Sequence, residues 1–243
     1  MPAVDYSNAK FPVREEFAAA HGRYWERLGA PGSWLTGAQR LDVAKEVRQT
    51  AHCDLCARRK AALSPFSEHG EHESVTSLSG EQVEVVHRVV SDPGRITKMW
   101  FDGVIAQGLS VEEYVEIIGT LVEVFSIDEF CRGIGVAPNP LPEPQVGEPS
   151  RYRPTNAAMD GAWVPILPSQ TTEEGLWTGR TGMVIRALSL VPDEVRSMLD
   201  LLEAHYVHID DIWKVTGSPR GTLSRIQMEV VAARVSALNG CFY

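Results

Sequence analysis

Two cysteines separated by two residues, Cys53-Asp-Leu-Cys56, are the feature of this sequence with the clearest chemical meaning. In a reducing compartment such a pair is more often redox-active or metal-binding than a structural bridge. The pair is predicted to lie where two helices meet, so that Cys56 falls in the first turn of the second helix, whose dipole favours a thiolate. Arg58, Arg59 and Lys60 add positive charge nearby. We therefore predict a redox-active dithiol, with metal binding and two inert buried thiols as the alternatives.

Two later histidines extend the cysteine pair into a pattern that is typical of a metal site. The spacing Cys53-x2-Cys56-x12-His69-x2-His72 approximates a Cys2His2 zinc motif, although the last interval is shorter than the usual three to five residues. Cys53, Cys56, His69 and His72 are thus the candidate zinc ligands, and zinc is the alternative to a site without a cofactor. A solvated polar loop is the third interpretation of the two histidines.

An acidic residue upstream is a candidate to assist the thiols. Glu46 lies seven residues before Cys53, two helical turns back on the same face. A carboxylate there would orient or deprotonate a cysteine through a water or a histidine. A surface charge paired with Lys45 or Arg48 fits the same spacing. His87 occurs in an otherwise apolar helix and is interpreted as a core or interface histidine.

Composition and charge restrict the class of protein. The chain has 243 residues and a formal net charge of −9, which disfavours nucleic acids and anionic membranes as partners because both attract basic surfaces. No apolar run approaches the roughly 18 residues of a membrane span. The first residues lack the pattern of a signal peptide. We expect a cytoplasmic protein without membrane or nucleic-acid partners.

Helical periodicity dominates the sequence and predicts an all-α fold. Residues 1–136 are expected to form a helical domain that contains the C-x-x-C pair, and residues 137–180 a proline-rich linker, part of which docks on a surface through Trp163, Val164, Ile166 and Leu167. Residues 181–243 would form a partial second domain. The helices are predicted at 14–28, 80–90, 95–107, 110–132, 182–190, 192–206 and 224–238.

An internal repeat with an offset of 188 residues predicts that the fold is duplicated. Each copy has a loop, a helix of about four turns that begins with a capping box, and a cysteine at the end of that helix. The second copy stops before the counterpart of Cys56, and Cys241 is its lone cysteine. The first copy reads Trp25-x-x-x-Gly29-x-Pro31-x-x-x-Leu35-Thr36-x-x-Gln39, and the second reads Trp213-x-x-x-Gly217-x-Pro219-x-x-x-Leu223-Ser224-x-x-Gln227.

These motifs resemble the alkylhydroperoxidase/carboxymuconolactone decarboxylase family, over roughly residues 15–136 and 180–243. The resemblance rests on the capped helices that lead to the cysteines, on the C-x-x-C itself and on the helix that begins at Ser110. It implies an all-helical bundle, here duplicated with a truncated second copy, that assembles into homo-oligomers. It also implies thiol-dependent reduction of a peroxide, with a small-molecule oxidant and a thiol reductant as partners.

The roles that the resemblance implies can be carried over by position. Cys56 would attack the peroxide and Cys53 would resolve the product, while a glutamate and a histidine relay protons. The family's glutamate position is occupied by Leu41, and its histidine position by Lys60. Glu46 and His72 are the candidates to replace them.

Two other functions are compatible with the same residues. One is a metal-dependent or acid/base enzyme that uses Glu46, His69 or His72. The other is a non-catalytic assembly paralogue whose incomplete second repeat is covered by a partner, because a truncated repeat leaves helix faces exposed.

Overall fold

The computed structural model describes residues 4–171, 173–177, 181–207, 211, 214–219 and 221–238, and these residues confirm the all-α prediction. Within them no strand occurs, and β-type pairing inside the linker is limited to a bridge between Ala158 and Ile166. The helices are α1 (Glu15–Gly29), α2 (Gly37–Gln49), α3 (Asp54–Ala61), α4 (Gly80–Ser91), α5 (Lys98–Ala106), α6 (Val111–Ile134), α7 (Met183–Arg186), α8 (Pro192–His205) and α9 (Arg225–Leu238).

Capping boxes begin four of these helices, and the sequence predicts three of them, those of α2, α6 and α9. In each box a hydroxyl accepts a hydrogen bond from a backbone N–H three residues on, and the side chain of that later residue accepts one in return. The α6 helix ends where Gly135 adopts φ 78°, a conformation that glycine takes without strain. The boxes pair Thr36 with Gln39 before α2, Ser79 with Gln82 before α4, Ser110 with Glu113 before α6, and Ser224 with Gln227 before α9.

The core forms around α6, the longest helix among the described residues. Helices α2 and α4 pack against α6 and against each other, and α1 and α8 pack against each other and against α6. Val43, Val86, Ile117 and Val195, from four different helices, have no exposed surface. Helix α8, which follows the linker, therefore shares one hydrophobic core with the helices that precede it.

The proline-rich segment docks on this core, as predicted. Val164, Ile166 and Leu167 are buried there, whereas Trp163 keeps 42% of its surface exposed. No α-helix occurs between α6 and α7 among the described residues. The prediction of a helix over 182–190 is wrong in its extent, because α7 covers only Met183–Arg186. Beyond Arg186 the chain continues in turns with hydrogen bonds three residues apart, from the Ser189 N–H to the Arg186 carbonyl and from the Val191 N–H to the Leu188 carbonyl, and Pro192 then begins α8.

Helix α9 differs from the others in what it buries. Arg225 is its buried residue, whereas Ile226, Val230, Val231 and Val235 each expose half or more of their surface. Two residues of the predicted repeat, Trp213 and Cys241, lie outside the described part of the chain. Among the residues that are described, no helix is both long enough and apolar enough to cross a lipid bilayer.

Candidate functional site: a buried pair of thiols between two histidines

Cys53 and Cys56 lie at the start of α3, where the sequence places them. Cys53 is the residue that caps the helix and Cys56 falls in its first turn. Both are free thiols, and both are almost completely buried. A single turn of polypeptide thus points two sulfur atoms into the protein, between α3 and α4.

Two histidine rings contact the sulfur atoms. Nδ1 of His72 lies 3.4 Å from Sγ of Cys53 and 3.6 Å from Sγ of Cys56. Nδ1 of His87 lies 3.3 Å from Sγ of Cys56. His72 comes from the segment between α3 and α4, and His87 from the middle of α4. The rings are neighbours, with centroids 4.4 Å apart.

The far nitrogen of His87 is held by a buried carboxylate. Nε2 of His87 lies 2.8 Å from Oε2 of Glu46. The other carboxylate oxygen accepts hydrogen bonds from the hydroxyls of Ser74 and Thr76, each at 2.7 Å, and from the Val75 N–H at 2.9 Å. Glu46 is fully buried, and both of its carboxylate oxygens accept hydrogen bonds. The carboxylate therefore fixes the orientation of the His87 ring.

A second carboxylate holds His72 in the same manner. Nε2 of His72 lies 2.9 Å from Oε2 of Glu84. Glu84 also accepts hydrogen bonds from Nη1 of Arg59 and from Nε1 of Trp100, each at 2.8 Å at its closest. The site therefore contains two chains of the same type, each running from thiol to imidazole to glutamate.

In the first thiol–imidazole–glutamate chain, which joins Cys56, His87 and Glu46, the surroundings favour a charged glutamate and a neutral histidine. Burial raises the pKa of Glu46, but hydrogen bonds from Ser74, Thr76, His87 and Val75 outweigh it and bring the pKa below its usual value. Burial lowers the pKa of His87, and the neighbouring Glu46 offsets this only in part. His87 thus presents a neutral ring to Cys56.

In the second thiol–imidazole–glutamate chain, the pKa values of the histidine and the glutamate are shifted further apart. Burial lowers the pKa of His72, but its interactions with Cys56, Glu84 and Cys53 raise it overall to about 10. Burial raises the pKa of Glu84, but His72, Arg59 and Trp100 lower it overall to about 2. For Cys53, burial raises the thiol pKa, while the backbone N–H groups of Cys56 and Glu73 and the His72 ring lower it overall.

The structure brings together four of the residues singled out in the sequence: Cys53, Cys56, Glu46 and His72. Glu46 reaches Cys56 through a histidine, one of the two routes that its position suggested, and it is buried and not a surface charge. His69 does not join them. Its side chain is exposed, and the next residue, Gly70, turns the chain with φ 139°. In the cluster of possible metal ligands, His87 stands where His69 was predicted.

The basic residues after the pair act differently from the prediction that all three favour a thiolate. Arg58 bonds to Asp54 and Glu68, and Lys60 is exposed. Arg59 reaches the site, but through Glu84 and at 3.3 Å from Nε2 of His72. Its charge therefore acts on the second thiol–imidazole–glutamate chain and not directly on a sulfur.

A cavity of about 590 Å³ adjoins the thiols. Its walls include His72 and Glu84 together with Arg59, Val83 and Trp100, while neither sulfur lines it. His72 thus lines the open space and also contacts both sulfurs through Nδ1, so it connects the cavity with the dithiol.

No protein-family model, curated protein or solved structure matches this chain. The alkylhydroperoxidase resemblance thus remains a prediction from the motifs.

Proposed function

We propose that the chain reduces a peroxide or a related small-molecule oxidant through the Cys53–Cys56 dithiol, and that a thiol reductant regenerates it. One observation carries the proposal: Sγ of Cys56 lies 3.3 Å from Nδ1 of His87, whose Nε2 lies 2.8 Å from the buried carboxylate of Glu46. A cysteine, a base and a carboxylate that orients the base form the arrangement that activates a thiol as a nucleophile.

The reaction follows from these contacts. His87 takes the Cys56 proton, and Glu46 stabilises the imidazolium that forms. The Cys56 sulfur attacks one peroxide oxygen, the O–O bond breaks, and the departing oxygen takes a proton and leaves as an alcohol or water. Cys56 is then a sulfenic acid.

Cys53 completes the cycle. Its sulfur attacks the sulfenic sulfur, an S–S bond forms and the hydroxyl leaves as water, with His72 placed against both sulfurs to move the proton. Two thiols of the external reductant then reduce the disulfide by exchange and are themselves joined as a disulfide. The cycle needs the reduced pair, so we place the protein in a reducing compartment such as the cytoplasm.

Peroxide consumption by the metal-free, reduced chain tests the proposal. Cys56→Ser should abolish turnover with a dithiol reductant. Cys53→Ser should retain one round of oxidation, to a sulfenic acid trapped by dimedone. Cys131→Ser is the matched control, because Cys131 is a buried free thiol that contacts Tyr6 and Asn139 and no residue of the site. Full turnover by Cys56→Ser would overturn the mechanism.

We also propose that the chain forms a homo-oligomer through α9. At the repeat offset, Val231 and Val235 correspond to Val43 and Val47, which are buried in α2. In α9 both valines are exposed. A second copy would cover this face. Light scattering should give more than one chain per particle, and Val231→Glu should shift it towards the monomer; a monomeric wild type would contradict the proposal.

A further inference from the structure

The sulfur atoms of the two cysteines and one nitrogen of each histidine ring converge on a common point, as the ligands of a metal ion do. The Sγ atoms of Cys53 and Cys56 and the Nδ1 atoms of His72 and His87 lie within 4.8 Å of one another. The recorded sulfur–nitrogen separations are 3.4, 3.6 and 3.3 Å. Bonds of about 2.3 Å to sulfur and about 2.05 Å to nitrogen, at tetrahedral angles, place sulfur and nitrogen about 3.6 Å apart. These three separations match the spacing of zinc ligands, and the four atoms are close enough for one ion to contact them all.

The groups behind the histidines support the same conclusion. A histidine that binds a metal through one nitrogen usually donates the other N–H to a carboxylate, which fixes the ring and makes it a better ligand. Both histidines have such a partner, with Glu84 on Nε2 of His72 and Glu46 on Nε2 of His87. In both rings the nitrogen left for a metal is the one that faces the sulfurs.

Ligand chemistry and burial identify the type of metal. Two thiolates and two imidazoles form a set that suits zinc and does not suit calcium or magnesium, which require oxygen ligands. Four protein ligands fill a tetrahedral coordination shell. Both cysteines and His87 are almost completely buried, so a bound ion would have no open position for a substrate.

We propose that the reduced chain binds one Zn²⁺ ion through Cys53, Cys56, His72 and His87. This ligand set replaces the His69 of the sequence motif with a histidine from α4. The ion ties the turn at the start of α3 to α4 and to the segment between them, and its charge offsets that of the two thiolates. Binding releases the protons that the ligands carry in the empty site.

Zinc would also control the dithiol, and this part of the inference rests on the proposed function. A closed site holds both sulfurs on the metal, so the oxidant reaches them only slowly. When it does react, the two sulfurs give up two electrons and join as a disulfide. The O–O bond breaks and takes two protons, giving an alcohol or water together with water, and the ion leaves as Zn²⁺.

Cobalt is the probe that tests the ligand set, because thiolate-bound tetrahedral Co²⁺ absorbs in the near ultraviolet and the visible. The reduced, chelator-treated full chain should bind one Co²⁺ with a thiolate charge-transfer band, and one equivalent of Zn²⁺ should displace it. His87→Gln and His72→Gln should weaken Co²⁺ binding by at least about tenfold, because even the loss of a residue that only hydrogen-bonds to a metal ligand lowers metal affinity by that much. His69→Gln is the matched control and should bind as the wild type does. Absence of the thiolate band, or loss of binding in His69→Gln with retention in His87→Gln, would overturn the proposal.

X-ray absorption of the zinc-loaded wild type keeps the test independent of whether the variants fold. Two sulfur and two nitrogen neighbours are expected, and any other set would overturn the proposal. The peroxidase proposal and the zinc proposal are tested separately, because peroxide turnover is measured on the metal-free chain and metal binding is measured without peroxide. With peroxide, the zinc-loaded protein should form the disulfide at least tenfold more slowly than the metal-free protein and should release one Zn²⁺ per disulfide. Equal oxidation rates in the two forms would show that zinc does not control the dithiol.

Discussion

Nε2 of His87 lies 2.8 Å from a carboxylate oxygen of Glu46, and neither side chain is exposed to solvent. The contact joins the middle of α4 to α2, and it lies directly behind the thiol of Cys56. A buried carboxylate is unfavourable unless hydrogen bonds or an adjacent positive charge compensate it. Glu46 obtains this compensation from three donors on residues 74–76 as well as from His87.

Glu46→Gln should reduce both stability and reactivity. The amide cannot accept all four hydrogen bonds and places an NH₂ group against a donor. We therefore expect the free energy of unfolding to fall by about 2–4 kcal/mol. Single-turnover oxidation of Cys56 by peroxide should slow at least tenfold, because the imidazolium of His87 loses its counter-charge. Urea denaturation and stopped-flow measurements on the metal-free chain give the two values.

Glu26→Gln is the control for this change, because Glu26 lies in α1, is exposed and does not contact the thiols. It should remain within about 0.5 kcal/mol of the wild type, as surface substitutions usually do. Unchanged oxidation kinetics in a folded Glu46→Gln protein would show that the carboxylate does not assist Cys56.

How far the sequence predicts this site depends on the distance along the chain. The position of Cys53 and Cys56 at a helix start is set by local rules of spacing and capping, and the structure confirms it. His87 follows Cys56 by 31 residues, and only the packing of α3 against α4 brings them together. In the sequence it is a single histidine in an apolar helix, so spacing alone gave no reason to connect it with the cysteines.

The same limit applies to the fold. Helix positions follow from periodicity, capping residues and prolines, which act within a few residues. Ion pairs between distant helices have no such signal. Arg40 has no exposed surface and bonds to Glu116 of α6 and Glu194 of α8, each at 2.8 Å. In the sequence these three residues resemble ordinary helix surface charges.

Arg40→Met should therefore be strongly destabilising. It leaves two buried carboxylates without the cation they share, a change that costs about 3–5 kcal/mol in comparable buried pairs. Arg23→Met is the matched control, because Arg23 also pairs with a carboxylate of α8, Asp200, but the two side chains are 56% and 39% exposed. That change should cost less than about 1 kcal/mol. Equal losses in the two variants, measured by urea denaturation, would contradict the importance of the buried network.

Two glycines within helices should respond in opposite directions to a methyl group. At Gly119 in α6, a Cβ atom would lie 2.6 Å from Cγ and 2.7 Å from Cβ of Glu194, so Gly119→Ala must push α8 away from α6. We expect a loss of about 1–3 kcal/mol. At Gly103 in α5 nothing lies within 4 Å of the new atom, so Gly103→Ala should gain up to about 1 kcal/mol from helix propensity. Thermal unfolding of both variants checks the signs, and stabilisation by Gly119→Ala would show that the two helices are not in close contact there.

The stability of the fold should depend on pH through His21. This ring is fully buried in α1, with Nδ1 2.5 Å from the Tyr6 hydroxyl and Nε2 2.5 Å from Nε2 of His205. Burial, together with repulsion from His205, lowers the pKa of His21 to about 3. The unfolded chain binds a proton on this residue below pH of about 6.5, while the folded chain stays neutral until much lower pH. Protonation therefore favours the unfolded state.

The contribution of His21 to stability is complete above pH of about 6.5 and is lost as the pH falls towards 3, by up to about 1.4 kcal/mol per pH unit. His21→Gln removes the titrating group and should flatten the dependence of the free energy of unfolding on pH between 6.5 and 4. His69→Gln replaces an exposed histidine and should leave the slope of the wild type unchanged. Urea denaturation at several pH values measures all three slopes. If His21→Gln keeps the full slope of the wild type, the proton that destabilises the fold binds elsewhere, and the ring of His21 is charged inside the folded protein.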